Sequence, residues 1–322
     1  MSGRQWIPLV PMAALMLPSA AAVTAQAGAE QVATTAIASP AVVTDVRVAG
    51  IPVYVRFDGD QYQVGQGELI EWVRRSTSIV AEYYGVFPAS TLDISIKAVN
   101  GGGVRGGKAF GQPRPSIHVT VGRAVSKAEL LADWVLVHEM IHLALPEVDD
   151  THVWLAEGLA TYVEGVARVQ AGNLGARELW QEYAVAMPKG MPAPDDQGLD
   201  RTHTWGRTYW GGALFCLLAD VTIRERSGNR RGLQDALRAI LRKSGGMITS
   251  WPVKRVFSTG DAATGTTTLT ELYQAMRETP SAPDLHELWR RLGVHSETGA
   301  IWLETGTKQA EIRDAITGRP TR

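Results

Sequence analysis

The stretch Val135-Leu136-Val137-His138-Glu139-Met140-Ile141-His142 sets two histidines four positions apart, with a glutamate beside the first. On a helix of 3.6 residues per turn, side chains at i and i+4 lie one above the other on the same face. His138 and His142 can then both reach one Zn2+ at about 2.0–2.1 Å. Glu139 points slightly aside. It is placed to hold a water beside the metal and to act as general base without ligating. Leu131, Trp134, Val135, Val137, Met140, Ile141 and Leu145 make the segment apolar on most sides. Three polar side chains in such a buried helix are costly without partners, and a metal supplies one.

Ser126 with Glu129 forms a capping-box pattern, so the spacing predicts one helix from Ser126 to about Leu145, stopped by Pro146. A polar loop, Val148 to His152, leads to a second helix over Trp154 to Gln170. A zinc site of the catalytic type takes three protein ligands and leaves one position open. Glu157 is the favoured third ligand, because a short loop folds its helix back against the first. His152 and Glu147, both in the polar loop, are its rivals. Thr161 and Glu164 lie one and two turns beyond Glu157 on roughly the same face and are candidate partners for the ligand side chains.

Before this segment the pattern is mixed. Valine-rich strands over Val42 to Phe57 turn near Gly50-Ile51-Pro52, and helical spacing runs from Gly67 to Tyr84. Leu92 to Val99 and Ser116 to Val121 alternate as strands, and Gly101 to Gly107 reads as a glycine-rich loop. After it, helices are expected from about Thr208 to Ser227 and over 231–243, 268–277 and 283–291. The fold class is therefore α+β, a small mixed α/β unit over 42–125 packed on a mainly helical subdomain over 126–322.

The chain has 322 residues, 45% hydrophobic, with a formal net charge of -1. No basic stretch stands clear of acidic neighbours, so no nucleic-acid partner is expected. Arg4, an apolar run from Ile7 to Leu17 and the small residues ending Ala25-Gln26-Ala27 read as a signal peptide over 1–27, followed by a flexible leader over 28–41. The apolar run is too short for a permanent membrane span. A periplasmic or secreted protein is expected. Cys216, the sole cysteine, sits in an apolar run and reads as a buried side chain.

His-Glu-x-x-His, followed on the next helix by Trp154-Leu155-Ala156-Glu157-Gly158-Leu159-Ala160-Thr161-Tyr162, resembles the gluzincin metallopeptidases. Within them the chain is most similar to the glycyl aminopeptidase family and its bacterial relatives. Their downstream Tyr-x-Lys-Gly segment and apolar helix are matched by Tyr209-Trp210-Gly211-Gly212 and the run to Asp220 and Arg224. The resemblance covers roughly 68–245 and implies a zincin-like, thermolysin-like catalytic domain, with one zinc per chain and a peptide or protein substrate. It also implies that Tyr209 donates to the oxyanion of the transition state.

Two positions depart from the family pattern. The lysine is Gly211, and Arg105 stands where a carboxylate for the substrate's amine is expected. The strand-loop containing Gly103, Arg105 and Gly107 is the candidate substrate-binding element, able to lay an extended peptide along a strand edge. The sequence points to a zinc peptidase with Glu139 as base. A zinc amidohydrolase of a non-peptide amide and a catalytically silent binding protein of the same fold are the alternatives.

Overall fold

The computed structural model describes residues 42–59, 61–297 and 300–318. The expected signal peptide and leader lie outside these residues. Strands β1 (Val42–Val48) and β2 (Ile51–Asp58) form a hairpin. Its turn is Ala49-Gly50, both at positive φ. That is the backbone of a two-residue primed turn, whose twist suits paired strands. Helix α1 (Gln66–Tyr84) crosses to β3 (Leu92–Val99). It buries Leu69, Trp72, Val73, Ser76, Ile79, Val80 and Tyr83 at helical spacing and ends at left-handed Gly85.

Next come β4 (Val104–Phe110) and β5 (Ser116–Gly122). The sheet order is β1-β2-β3-β5-β4, with β2, β3 and β5 parallel and the two outer strands antiparallel to their neighbours. Val53, Val55, Phe57, Ile94, Ile96, Ile117, Val119 and Val121 bury one face of the sheet. The glycine-rich segment expected to be a loop is thus largely an edge strand. Its glycines read as a breaker in isolation, but pairing with β5 satisfies their backbone, with a bulge between Val104 and Gly106.

The helix expected to run unbroken from Ser126 to Leu145 is two helices, α2 (Lys127–Ala132) and α3 (Val135–His142). The capping box at Ser126 and Glu129 is present. The break falls at Asp133, whose backbone is extended. Its carboxylate accepts from the N–H groups of Val135 and Leu136 at 3.1 and 3.2 Å, capping α3, and from the Trp72 indole N–H at 2.9 Å. A mid-helix aspartate that can cap competes with helix continuation. Every residue of α3 is buried.

Helix α4 (Val153–Gln170) packs against α3, α1 and α6 (Gly212–Ser227). Between them lie α5 (Ala176–Ala186), a loop, and a π-helical turn at Gly206–Gly211. The helix expected from Thr208 therefore starts as a wider turn before becoming α. Helices α7 (Leu233–Ser244), α8 (Val253–Thr264), α9 (Thr268–Met276) and α10 (Leu285–Arg291) follow, then the hairpin β6 (Val294–Glu297) and β7 (Ala300–Leu303), and α11 (Lys308–Thr317). The α+β class holds. Helix α8, unmarked by propensity, forms because Val253, Val256 and Phe257 are buried as it packs against α7.

Asp133→Ala removes a helix cap and leaves the buried Trp72 N–H without its acceptor. It should lower unfolding free energy by about 2–4 kcal/mol, read by urea denaturation.

Candidate metal centre

His138, His142 and Glu157 converge in the interior, their ligating atoms all within 4.8 Å of one another. His138 Nε2 lies 3.3 Å and His142 Nε2 3.5 Å from the same Glu157 Oε2. Two ligand atoms at about 2.0–2.1 Å from one tetrahedral Zn2+ stand about 3.3–3.4 Å apart, so these separations suit a single ion. The donor set of two imidazoles and one carboxylate, with a fourth position open, is that of a catalytic zinc site. The residues fit the metal.

The Glu157 carboxyl feels opposing effects. Burial raises it, but the electrostatic attraction of His142 and hydrogen bonds from both imidazoles outweigh burial and hold it well below the usual range. Glu139, 4% exposed, is pushed up, chiefly by burial and also by Glu157, against the attraction of His142 and His138. The Ala109 N–H on edge strand β4 donates to its carboxylate. Gly107 lies so close that a Cβ there would be 2.6 Å from Glu139 Cγ. Strand β4 therefore aims the glutamate.

Tyr209 is half-buried on the π-helical turn. Its hydroxyl donates to Glu157, and its ring is nearly parallel to that of His138, centroids 6.4 Å apart. Burial, and then the charges of Glu157 and Glu139, push its phenol up, so it stays protonated and available as a donor. Glycines bring it there. A Cβ on Gly158, the residue after Glu157, would run into the backbone of Gly212, and one on Gly212 into the Trp154 carbonyl. At Gly211 a Cβ would meet Gly190 O, Arg207 Nη1 and Leu199 Cδ2, each at 3.2 Å. The loop before the turn is packed onto that position. Buried Arg207 fastens it, pairing with Asp196 at 2.7 Å and donating to Gly190 O at 2.6 Å.

Several expected site residues are placed otherwise. His152, the rival ligand, is tied by Nδ1 to Asp200 at 3.0 Å, and Asp200 also accepts from Trp154 and Tyr273. Glu147 sits on the rim of the cleft, its backbone paired with Thr249 and Trp251. Thr161 donates to the Glu157 backbone carbonyl at 2.8 Å, an ordinary i−4 helix contact. Glu164 lies two turns along α4 and pairs with Arg168 at 3.3 Å, beneath the start of α3 rather than beside a ligand. His138 Nδ1 has no hydrogen-bond partner among the described residues, so neither Thr161 nor Glu164 serves it. Gly103 faces the turn, its carbonyl bonded to Gly122 N–H at 2.8 Å and its N–H to Glu129. Arg105 is exposed on the rim and Gly107 lines the floor.

The cleft over these residues encloses about 400 Å³. One wall is β4 with Arg105 and Lys108; the other carries Glu147, Asp149 and Asp150. Sequence reasoning missed Asp133, Lys108 and the Arg207–Asp196 pair. Only the fold brings these residues together, and no local motif marks them.

Glu157→Ala should weaken zinc affinity by an order of magnitude or more in chelator competition, leaving His152 unable to substitute. Glu164 gives a pH signature. Burial raises its carboxyl from 4.5 to about 8, the charges of Glu182 and Asp133 adding to burial and Arg168 opposing it. Between those values the folded state holds more protons than the unfolded, so stability falls as pH rises through 8. Glu164→Gln should flatten that fall in denaturation curves taken from pH 5 to 9.

No family model matches the chain, and no curated protein matches it. Solved structures share its fold. A protein of the aminopeptidase N family from Idiomarina loihiensis superimposes with a TM-score of 0.61 at 14% identity, over 79% of this chain and 49% of that one. An M1 zinc metallopeptidase from Deinococcus radiodurans gives a TM-score of 0.50 at 15% identity, over 76% of this chain and 53% of that one. The chain spans about half the length of these proteins. What it shares with them is the arrangement of sheet and helices around the cleft.

Proposed function

We propose that the chain is a zinc-dependent peptidase, with His138, His142 and Glu157 as ligands, Glu139 as general base and Tyr209 as oxyanion donor. One observation carries the reading. Two imidazole nitrogens share one buried carboxylate oxygen at 3.3 and 3.5 Å, with Glu139 and Tyr209 beside them. A purely structural zinc site is closed by four protein ligands, whereas this cluster supplies three. The fold shared with the two metallopeptidases adds support.

Zinc held by His138, His142 and Glu157 would supply Lewis-acid polarisation of the scissile carbonyl and would lower the pKa of the attacking water. The residues of the chain do the rest. Glu139, its carboxyl raised by burial, takes the proton of the attacking water and passes it to the leaving amine. Ala109 N–H keeps its carboxylate pointed at the cleft. Tyr209 donates its hydroxyl proton in a hydrogen bond to the oxyanion and gives up its bond to Glu157 as it does so. The outer edge of β4 receives the peptide as an added strand, so the substrate backbone pairs with protein backbone.

Arg105 bears on where in a peptide the enzyme cuts. A guanidinium on the rim repels an ammonium group, which favours internal or blocked positions over a free N-terminus on that side of the cleft. The residue 1–27 segment fits export, with action in the periplasm or outside the cell.

Glu139→Gln should retain zinc and lose hydrolysis of a peptide library, and Tyr209→Phe should lower kcat by about 10²–10³ with zinc content unchanged. A wild-type protein that carries zinc yet cleaves no peptide would sink the proposal.

A further inference from the structure

The two faces of edge strand β4 meet different surroundings. Side chains alternate along a strand, and residues directly opposite each other on antiparallel strands share a face. Gly107 pairs with Val119 and lies against Glu139, so that face looks to the reacting centre. Gly106 pairs with Thr120 and Lys108 with His118, so these four share the outer face. All four also line the cleft that holds His138, His142, Glu157 and Tyr209. Gly106 opens the way between the faces. A Cβ built there meets no atom within 4 Å, so a side chain from outside has room over it.

Lys108 and His118 stand side by side on this face. The Lys108 ammonium lies 5.2 Å from the centroid of the Phe110 ring, and the His118 ring lies 5.1 Å from the same ring. Phe110 thus brings the cation and the imidazole to one place. Arg105, exposed on the same wall, adds a second positive charge to the field. Glu129 feels that charge, but its carboxylate is bonded to Ser126 and to the Gly103 N–H. The acidic residues of the rim, Glu147, Asp149 and Asp150, are on the opposite wall. The cleft is therefore polarised. A carboxylate that enters it is repelled from one wall and drawn to the other.

We infer that Lys108 and His118 form a subsite for a carboxylate of the peptide, carried by the residue next to the one at the scissile bond. This rests on the peptidase reading and on β4 receiving the substrate as an added strand. A strand laid on the edge alternates as β4 does. A substrate residue level with Gly107 faces Glu139, so its neighbour points over Gly106 to the outer face. There its carboxylate meets the Lys108 ammonium and an N–H of the His118 imidazole, two donors supplied by one cross-strand pair. An aspartate or glutamate side chain supplies such a carboxylate, and so does the free C-terminus of a short peptide.

The test uses the zinc-loaded protein and acetylated, amidated peptides of one sequence, each with either glutamate or glutamine at one position, every position being tried in turn. A second set ends in a free carboxylate. The wild type should prefer glutamate to glutamine at one position, or the free acid to the amide, by about three- to tenfold in kcat/KM. The first result identifies a side-chain carboxylate and the second the terminal one, and either supports the subsite. Lys108→Met should bring the ratio close to one, His118→Ala should about halve it, and Lys108→Arg, which keeps the charge, should retain most of it. A binding arm uses Glu139→Gln, with the dissociation constants of the preferred peptide and its uncharged counterpart measured by calorimetry. The charged peptide should bind more tightly, and adding Lys108→Met should erase the difference. Ratios near one in both wild-type sets overturn the inference, as does a ratio that Lys108→Met leaves unchanged. Equal losses on charged and uncharged peptides also overturn it, because they show that Lys108 only supports the strand. If the wild type cleaves nothing, the peptidase reading fails, while the binding arm still decides for or against the carboxylate subsite.

Discussion

The contact on which the site depends is the approach of α4 and α6 at Gly158 and Gly212, where backbone meets backbone and neither position has room for a side chain. Glu157 immediately precedes this contact on one helix and Tyr209 lies just before it on the other. Moving the helices apart by the width of one methyl group would part the tyrosine from the carboxylate it bonds. Interiors packed to crystal density do not absorb such a shift locally. A small-residue contact between two helices therefore sets a distance at a reacting centre several ångströms away.

The second constraint is electrostatic. Helix α3 carries three ionisable side chains through a fully apolar interior, and α4 adds a fourth, Glu157. Groups so buried are tolerated only when each has a partner. Glu139 has the Ala109 N–H, and Glu157 has both histidines and Tyr209. The two carboxyls move in opposite directions, Glu139 up and Glu157 down. That separation suits a base beside a ligand, since one group must exchange a proton while the other keeps its charge.

Around the centre the fold divides the work between a rigid helical layer and an edge strand. The helices position His138, His142 and Glu157 and bring Tyr209 beside them. Strand β4 contributes the aim of Glu139 and an outer edge along the cleft that pairs with no other strand among the described residues. Its glycines let it approach α3 closely enough for a backbone N–H to reach the base. The loop fastened by Arg207 and Asp196 closes the opposite side and packs tightly against Gly211.

By itself the sequence determined the residues at a fixed offset along one helix. The histidine pair and Glu139 were legible because a helical period of 3.6 converts a spacing of four into a shared face, whatever the rest of the chain does. Glu157 was legible as a candidate from its place on the next helix, and Tyr209 only through the resemblance of its segment to the gluzincin pattern. The α+β class followed from runs of alternation and helical spacing in separate parts of the chain. Tertiary structure alone decided the rest. Asp133 breaks a continuous helical pattern because Trp72, distant in sequence, gives it a third hydrogen bond. The glycine-rich segment becomes a strand because β5 offers a partner. His152 turns to Asp200, 48 residues away, because the imidazole finds a buried carboxylate there. Such choices rest on pairwise energies of about 1–3 kcal/mol between residues remote in sequence, and a local pattern holds no record of them.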